Sequence, residues 1–242
     1  MSPDPLSRLA SLEGVPSAYA AVRDGIDVML RDRGLRRTSP EMTAESLLRG
    51  AHASAVLEGS ASSLAEVREG TGDEVAADAV RVSTELLGLA PALNRAPLQA
   101  LARIHALAAA GLPESERGRP RDPAGADRLR GVGALLTEPT DAPALLVAAV
   151  VHAELMSAAP FASHNGIVAR AAERLVLVAR GVDELSLVVS EAGHLALRAA
   201  YESNLRGYAE GGTAGVHSWL LYAAEAYAAG AEASPLRRLV GE

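Results

Sequence analysis

The sequence predicts an all-α protein, and three observations support this fold class. Alanine (50 residues) and leucine (34) greatly outnumber valine and isoleucine (23 together), so good helix formers dominate over β-branched residues. Apolar residues recur at helical spacing along most of the chain. Glycine and proline fall between these segments, where helices are expected to begin or end. A chain of 242 residues is also long enough to bury a sizeable core.

The N-terminal half contains five predicted helices with recognisable boundaries. The first ends before Gly34, and the second has Gly59 at the position after its C-terminus, where a left-handed residue is favoured. The third opens at a serine, and the fourth begins at Asp73. Pro97 lies in the first turn of the fifth helix, which ends at Gly111. These helices are predicted over residues 17–33, 41–58, 62–69, 73–88 and 97–110.

The C-terminal half begins with a predicted loop over residues 112–127, which are rich in proline, glycine and charge. Its ordinary interpretation is a solvated connector. Further along, Pro160 ends one long apolar helix, and the pair Asn165-Gly166 opens the next. The predicted helices of this half cover residues 126–136, 142–158, 165–180, 191–209 and 213–230.

The composition excludes several function classes. All 23 basic residues are arginine, which rules out a P-loop lysine, a Schiff-base lysine and a Ser–Lys dyad. The absence of cysteine rules out disulfides, thiolate metal sites and thiol catalysis. A net charge of −7 without a basic cluster, together with only seven aromatic residues, argues against a nucleic-acid partner.

The chain also lacks the sequence features of export. No basic segment followed by an apolar stretch marks a secretion signal near Met1. The longest apolar run, residues 142–151, is too short to span a bilayer. We therefore expect a cytoplasmic protein with no membrane partner, and the arginine and alanine bias is typical of a GC-rich bacterial genome.

General catalytic and metal-binding motifs are missing from the sequence. It has no His-Glu-x-x-His, no Gly-x-Ser-x-Gly and no glycine-rich phosphate loop. Taken singly, a histidine is more often a surface or satisfied core residue than a ligand, and no metal site is predicted. The six histidines, none at metal-ligand spacing, are His52, His105, His152, His164, His194 and His217.

A short polar loop between two apolar helices is the first candidate site. The second helix begins at Asn165 and Gly166 with free backbone N–H groups. Such a helix N-terminus is a ready binding site for anions. An ordinary helix–loop–helix corner with Asn165 as the cap explains the same residues, and local structure alone favours that alternative.

Glu58 is the second unusual residue. It lies in the last turn of its predicted helix, where the helix dipole disfavours a carboxylate. Ser54 comes four residues earlier and therefore lies on the same face. We expect an inward-facing Glu58 to need a cationic partner.

These two stretches resemble the Fic (fido) domain family. Residues 143–178 look like its core, whose signature is His-Pro-Phe-x-(Asp/Glu)-Gly-Asn-Gly-Arg-x-x-Arg. The stretch Ser54-x-x-x-Glu58-Gly59 resembles the autoinhibitory motif of the subclass whose inhibitory helix precedes the core. Residues 201–208 and 213–230 resemble the C-terminal Fic helices, so the resemblance covers roughly residues 41–230. The signature positions kept here are Pro160, Phe161, Asn165, Gly166 and Arg170.

The sequence departs from this signature where the family's chemistry resides. Ala159 stands at the position of the catalytic histidine, and Ser163 at that of the acidic residue that holds Mg²⁺. His164 replaces the first glycine, and Ile167 replaces the first arginine. In Fic enzymes the histidine is the general base for a target hydroxyl, which attacks the α-phosphate of ATP, so that AMP is transferred to a protein. Alanine, serine and isoleucine supply neither the base nor the charge stabilisation.

The resemblance also implies a β-hairpin flap that pairs with the target peptide, and we expect it to be short or absent here. The flap would lie near residues 112–127, which show several prolines and no alternating apolar residues. Proline removes the backbone donors that strand addition requires. Target docking by this route is therefore not expected.

These observations predict a Fic-like helical bundle, with an N-terminal helical extension over residues 1–40 and a Fic-like domain over 41–242 in one globular unit. The favoured interpretation is a degenerate Fic-fold protein that acts as a binding or regulatory module. Its expected partner is an unidentified protein, and a homodimer is left open. The candidate residues for binding a nucleotide or another anion are Asn165, Gly166 and Arg170. No cofactor is predicted, and ATP with Mg²⁺ stays open as an alternative. The alternative is a nucleotide-dependent, protein-modifying transferase that uses His164 or His152 as its base. A third interpretation is a partner-binding relic of a toxin–antitoxin-like system.

Overall fold

The computed structural model describes residues 4–31 and 39–240, and these residues confirm the all-α prediction. Helices account for most of this part of the chain, which contains no strand. Two 3₁₀ turns cover Leu87–Leu89 and Pro235–Val240. The helices are α1 Pro5–Ala10, α2 Val15–Met29, α3 Pro40–Leu57, α4 Leu64–Glu69, α5 Glu74–Leu86, α6 Ala90–Arg95, α7 Pro97–Ala108, α8 Pro123–Thr137, α9 Ala144–Ala158, α10 Asn165–Ala179, α11 Ser190–Ala196, α12 Arg198–Glu210 and α13 Thr213–Glu232.

The structure corrects several predicted boundaries. Helices α1 and α6 were not predicted, because each has only six residues and too little periodicity to stand out. The predicted loop ends at Asp122, whose side chain caps α8 with Pro123 at the first helical position. The predicted helix 191–209 is two helices that meet at Leu197. The stop expected at Gly34 lies outside the described residues.

Helix α10 lies at the centre of the molecule. It packs along α9 and also contacts α3, α5, α6 and α7. All residues from Leu145 to Ala153 in α9 are buried, which matches the continuous apolar run in the sequence. The N-terminal α2 packs on α13 and α9. Within the described residues, none of the helices combines the length and apolar character needed to cross a bilayer.

Three charged side chains of α10 are buried, and each has polar partners. Arg174 makes the largest number of hydrogen bonds with other parts of the chain. It donates to the Ser186 hydroxyl at 2.6 Å and carbonyl at 2.8 Å, and it pairs with Glu191 at 2.9 Å. It also contacts Ser46 on α3. Because an unpaired buried charge is costly, these contacts tie α3 and α11 to α10.

Glu173 is the fully buried anion of α10, and it joins four helices. Its Oε2 lies 2.9 Å from His194 Nε2 and 3.0 Å from His152 Nδ1, the latter off the line of a good hydrogen bond. The Tyr227 hydroxyl donates to its Oε1 at 2.9 Å. Burial raises the pKa of Glu173, but the two adjacent imidazoles lower it more, so the net pKa lies below the ordinary value. The carboxylate is therefore ionised at neutral pH.

Burial makes this polar core sensitive to acid. It lowers the pKa of His152 from 6.5 to about 4, an effect that Glu173 opposes only in part. The unfolded chain therefore takes up a proton on His152 between pH 6.5 and pH 4, whereas the folded chain does not. Stability contributed by the neutral histidine is complete above pH 6.5 and is lost as the pH falls towards 4. The lowered pKa of Glu173 adds a further loss below about pH 4.5, its ordinary value.

We predict that the free energy of unfolding falls between pH 7 and pH 4, and that the fall is smaller in His152→Gln. At about 1.4 kcal/mol for every pKa unit, His152 contributes a difference of up to about 3 kcal/mol over this range. Urea unfolding of both proteins across this range measures the slope. His217→Gln, at the surface where its Nε2 contacts the Glu13 carbonyl, is the control. Equal slopes for wild type and His152→Gln would contradict the assignment.

Candidate functional site

The loop between α9 and α10 is a tightly braced corner. Ala159 and His164, at its two ends, both have left-handed backbones, with φ of 40° and 57°. Asn165 Oδ1 accepts from the Phe161 N–H at 3.0 Å, and Asn165 Nδ2 donates to the Phe161 carbonyl at 2.9 Å. The proposed cap is therefore corrected: His164 occupies the N-cap position, and Asn165 is the first helical residue and fastens the loop.

Glu58 lies directly over the start of α10. A Cβ atom built on Gly166 would overlap the Glu58 carboxylate and would lie 3.1 Å from Arg170 Nη2. Only glycine therefore fits at this position without moving Glu58. A carboxylate already stands at the helix N-terminus where the sequence predicted an anion site, and the helix dipole favours it there.

The expected contact between Glu58 and Arg170 is confirmed. Arg170 Nη2 donates to Glu58 Oε1 at 2.7 Å. Arg170 also donates to the Ser54 hydroxyl at 2.9 Å and to the Tyr201 hydroxyl at 3.3 Å. The arginine side chain is 1% exposed and the glutamate 30%. Gly59, with φ of 96°, has the left-handed conformation predicted for the residue that ends α3.

His164 is held between two oxygens. Its Nδ1 lies 2.6 Å from the Ser163 hydroxyl, and its Nε2 lies 3.1 Å from Asp78 Oδ2. Asp78, on α5, also pairs with Arg81 at 2.6 Å. Sequence reasoning missed Asp78, although a signal existed: the aspartate interrupts the apolar stripe of α5 on its buried face.

A second histidine, His105, packs against the loop between α9 and α10. His105, on α7, is fully buried, and its ring stacks on Phe161 at 4.2 Å. Its Nδ1 accepts the Gly118 N–H at 2.9 Å. Burial lowers the pKa of His105 to about 4, so the ring is neutral at physiological pH. This matches the expectation for a single histidine, namely a core residue.

The segment 112–122 is largely exposed to solvent, as expected of a connector, but backbone hydrogen bonds attach it to the corner. The Arg121 N–H donates to the Pro160 carbonyl at 2.9 Å, and Gly118 reaches His105 as described above. Gly125, in the first turn of α8, approaches the same Pro160 carbonyl so closely that a Cβ would clash. This segment contains no strand, in agreement with the prediction of a short or absent flap.

The substituted signature positions differ in their surroundings. Ala159 follows the last residue of α9 and ends that helix. Ile167 is 2% exposed and packs into the core, so an arginine there would need a different local packing. The hydroxyl of Ser163 is engaged by His164. These positions therefore present neither a free base nor a carboxylate to the start of α10.

The donor groups most suited to a metal lie elsewhere, in the buried core. His152, Glu173 and His194 place one donor atom each within 4.8 Å of one another. No metal-ligand spacing is visible in the sequence because the three residues come from α9, α10 and α11. Tyrosine hydroxyls engage the other ring nitrogens: Tyr201 lies 2.9 Å from His152 Nε2, and Tyr222 lies 2.8 Å from His194 Nδ1. The hydrogen bonds and the negative charge of Glu173 are enough to explain why these polar groups lie together in the core.

Solved structures of Fic proteins resemble the chain over nearly its whole length. A Fic family protein from Desulfovibrio desulfuricans G20 superposes with a TM-score of 0.75 at 18% identity, over 95% of this chain and 75% of the other. A fragment of Fic-1 from C. elegans gives 0.64 at 17% identity, over 93% and 70%. A variant of that fragment gives 0.67 at 17% identity, over 93% and 72%. No protein-family model and no curated protein matches the sequence.

The chain has a Fic-like fold. The resemblance inferred from three short motifs is thus confirmed for the fold. At 17–18% identity, the likeness carries no activity with it, and function has to be argued from the groups in the site.

We predict unequal stability losses from the two halves of the Glu58–Arg170 pair. Arg170→Met should lower the free energy of unfolding by about 3–5 kcal/mol, because the buried polar groups that bind the guanidinium lose their partner. Glu58→Ala should cost about 1–3 kcal/mol, since Arg170 keeps Ser54 and Tyr201 and water can enter beside it.

Urea unfolding at pH 7 measures both losses. Glu85→Ala is the control, because its pair with Arg103 is about half exposed on both sides and should contribute less than about 0.5 kcal/mol. A loss for Arg170→Met no larger than that of the control would show that the buried pair does not stabilise the fold.

Proposed function

We propose that this protein is a degenerate member of the Fic-fold proteins that works as a binding or regulatory module and does not transfer AMP. The observation that carries the proposal is the state of the loop 159–167. It has alanine, serine and isoleucine at the positions of the base, the metal-binding acid and the first arginine. The one arginine of the signature that the chain keeps, Arg170, is bound by Glu58 at 2.7 Å.

Nucleotidyl transfer needs three contributions that these residues do not supply. A group with a pKa near 7 must take the proton of the attacking hydroxyl, and Ala159 has no such group. A metal and arginines must neutralise the charge that develops on the phosphate. These contributions act as a unit, and loss of a base and a charge stabiliser together costs on the order of 10⁴-fold in rate.

The site residues do not fit a catalytic Mg²⁺. Magnesium prefers carboxylate and phosphate oxygens, whereas Ser163 offers a hydroxyl that His164 already binds. Two carboxylates lie close to this loop: Glu58 is bound to Arg170, and Asp78, whose side chain is 7% exposed, is bound to Arg81 and His164. No step is therefore assigned to a metal, and ATP with Mg²⁺ is not expected to bind.

The alternative function is a nucleotide-dependent transferase with an altered active site. One observation favours it: His164 stands at the start of α10 with a carboxylate partner, which is the arrangement of an oriented base. Against it, Glu58 covers the same helix start and already neutralises Arg170, the arginine beside it. His152, the other base considered, is fully buried and cannot reach a substrate.

We predict that incubation with nucleoside triphosphates labelled at the α-phosphate gives no covalent label on the protein or on proteins of a cell extract. The Glu58→Gly variant should also be silent, because removing the inhibitory carboxylate restores neither a base nor a metal ligand. Autoradiography with ATP, GTP, CTP and UTP, each with Mg²⁺ and with Mn²⁺, makes the measurement. Labelling by Glu58→Gly that disappears in the Glu58→Gly/His164→Ala double variant would establish the alternative and contradict the proposal.

A further inference from the structure

Ser163, His164 and Asp78 form a chain of hydrogen bonds that the proposed function leaves unused. The hydroxyl of Ser163 lies 2.6 Å from His164 Nδ1, and His164 Nε2 lies 3.1 Å from Asp78 Oδ2. A nucleophile within reach of a base, itself oriented by a third group, is the general arrangement of serine catalysis. It is recognised by geometry and not by sequence order, which explains why motif searches find nothing here.

The hydrogen-bond partners determine which nitrogen of His164 is the base. Arg81 binds Asp78 Oδ1 at 2.6 Å and holds the carboxylate in its ionised, acceptor form. Because a carboxylate only accepts, Nε2 of His164 carries the hydrogen of the 3.1 Å bond. Nδ1 is then unprotonated and faces the Ser163 hydroxyl. The roles of the two nitrogens are exchanged relative to the usual triad, but the relay of one proton is the same.

The backbone of His164 is held in an unusual conformation. Its φ of 57° is left-handed, where glycine is unstrained and a histidine is not. Strain of this kind persists where the surrounding structure fixes the residue, and it concentrates at functional sites. Here the strained position turns the ring towards Asp78, which lies 86 residues earlier in the chain on another helix.

The surroundings give solvent access to the pair, and positively charged groups lie close by beneath Glu58. Ser163 and His164 are partly exposed, with 24% of the His164 side chain accessible. The N–H groups of the first turn of α10 begin at the next residue, and the Arg170 guanidinium lies beside Gly166; Glu58 covers both, so a substrate uses them only after displacing that carboxylate. Groups of this kind stabilise the negative oxygen of a tetrahedral intermediate. The remaining titratable group that faces the pair is the neutral ring of His105, 6.5 Å from the His164 ring.

We propose that Ser163 is a nucleophile that takes an acyl group from an ester. The Ser163 oxygen forms a bond to the carbonyl carbon as its proton passes to His164 Nδ1. The carbon–oxygen bond of the ester then breaks, and the same proton passes to the leaving alkoxide, which departs as an alcohol. Water attacks the acyl-serine in the same way and releases the carboxylic acid. This chemistry needs no nucleotide or metal, so it stands or fails separately from the absence of AMP transfer.

A fluorophosphonate probe tests the nucleophile directly, because the serine oxygen displaces fluoride at phosphorus and keeps the label. Trypsin releases the peptide 131–170, which contains Ser157 and Ser163, and fragmentation by mass spectrometry distinguishes the two. We expect the label on Ser163. Ser163→Ala should abolish it, and Ser157→Ala, which removes an exposed serine of the same peptide, should leave it unchanged.

If His164 and Asp78 activate Ser163, changing either residue should lower the rate at which the probe labels Ser163. His164→Gln and Asp78→Asn should each slow labelling of Ser163 by about 10²-fold or more, with Tm and circular dichroism confirming that the variants are folded. Hydrolysis of p-nitrophenyl acetate should follow the same order of variants.

Three results would overturn the proposal. The first is absence of label on Ser163 in the folded wild type. The second is label spread over several serines at similar rates. The third is a rate on Ser163 that folded His164→Gln and Asp78→Asn leave unchanged, since the serine would then react without its neighbours. Should Asp78→Asn fail to fold, the labelling rate of His164→Gln decides the matter alone.

Discussion

The burial of charged side chains along α10 is the constraint on which the rest of the structure depends. Arg170, Glu173 and Arg174 are each at most 1% exposed, and a buried charge without a partner would cost several kcal/mol. Their partners come from α3, α9, α11, α12 and α13. The central helix is thus positioned by specific polar contacts as well as by apolar packing, and its N-terminus has a fixed relation to the end of α3.

This constraint links the core to the candidate site. The Arg170 guanidinium lies beneath the start of α10, and the carboxylate that neutralises it, Glu58, covers the same start. A ligand that used the helix N-terminus would have to displace Glu58 from a contact that also stabilises the fold. The site is therefore closed by an interaction of the folded state itself, and this closure supports a binding or regulatory function more readily than nucleotide turnover.

Sequence patterns predicted the fold well because helix periodicity, proline and glycine are local signals. The Glu58–Arg170 contact was also predictable, since a carboxylate at a helix C-terminus and an arginine in an apolar helix both lack local partners. The role of Asp78 was not, because its partner lies 86 residues away; its place on the buried face of α5 marks it as unusual but does not identify that partner. The cluster around Glu173 was not predicted either, because its members lie on separate helices and only the packing of those helices brings them together.

Isothermal titration of ATP into the wild-type protein, with and without Mg²⁺, tests most directly whether the site is closed to nucleotide. A parallel scan of Tm is an independent check, because a ligand that binds only the folded state raises Tm by mass action. The account predicts no heat of binding and no rise in Tm at millimolar ATP under either condition. Stoichiometric binding that requires Mg²⁺ would contradict it, since the site would then hold a metal-bound nucleotide despite Glu58 and the missing metal ligand.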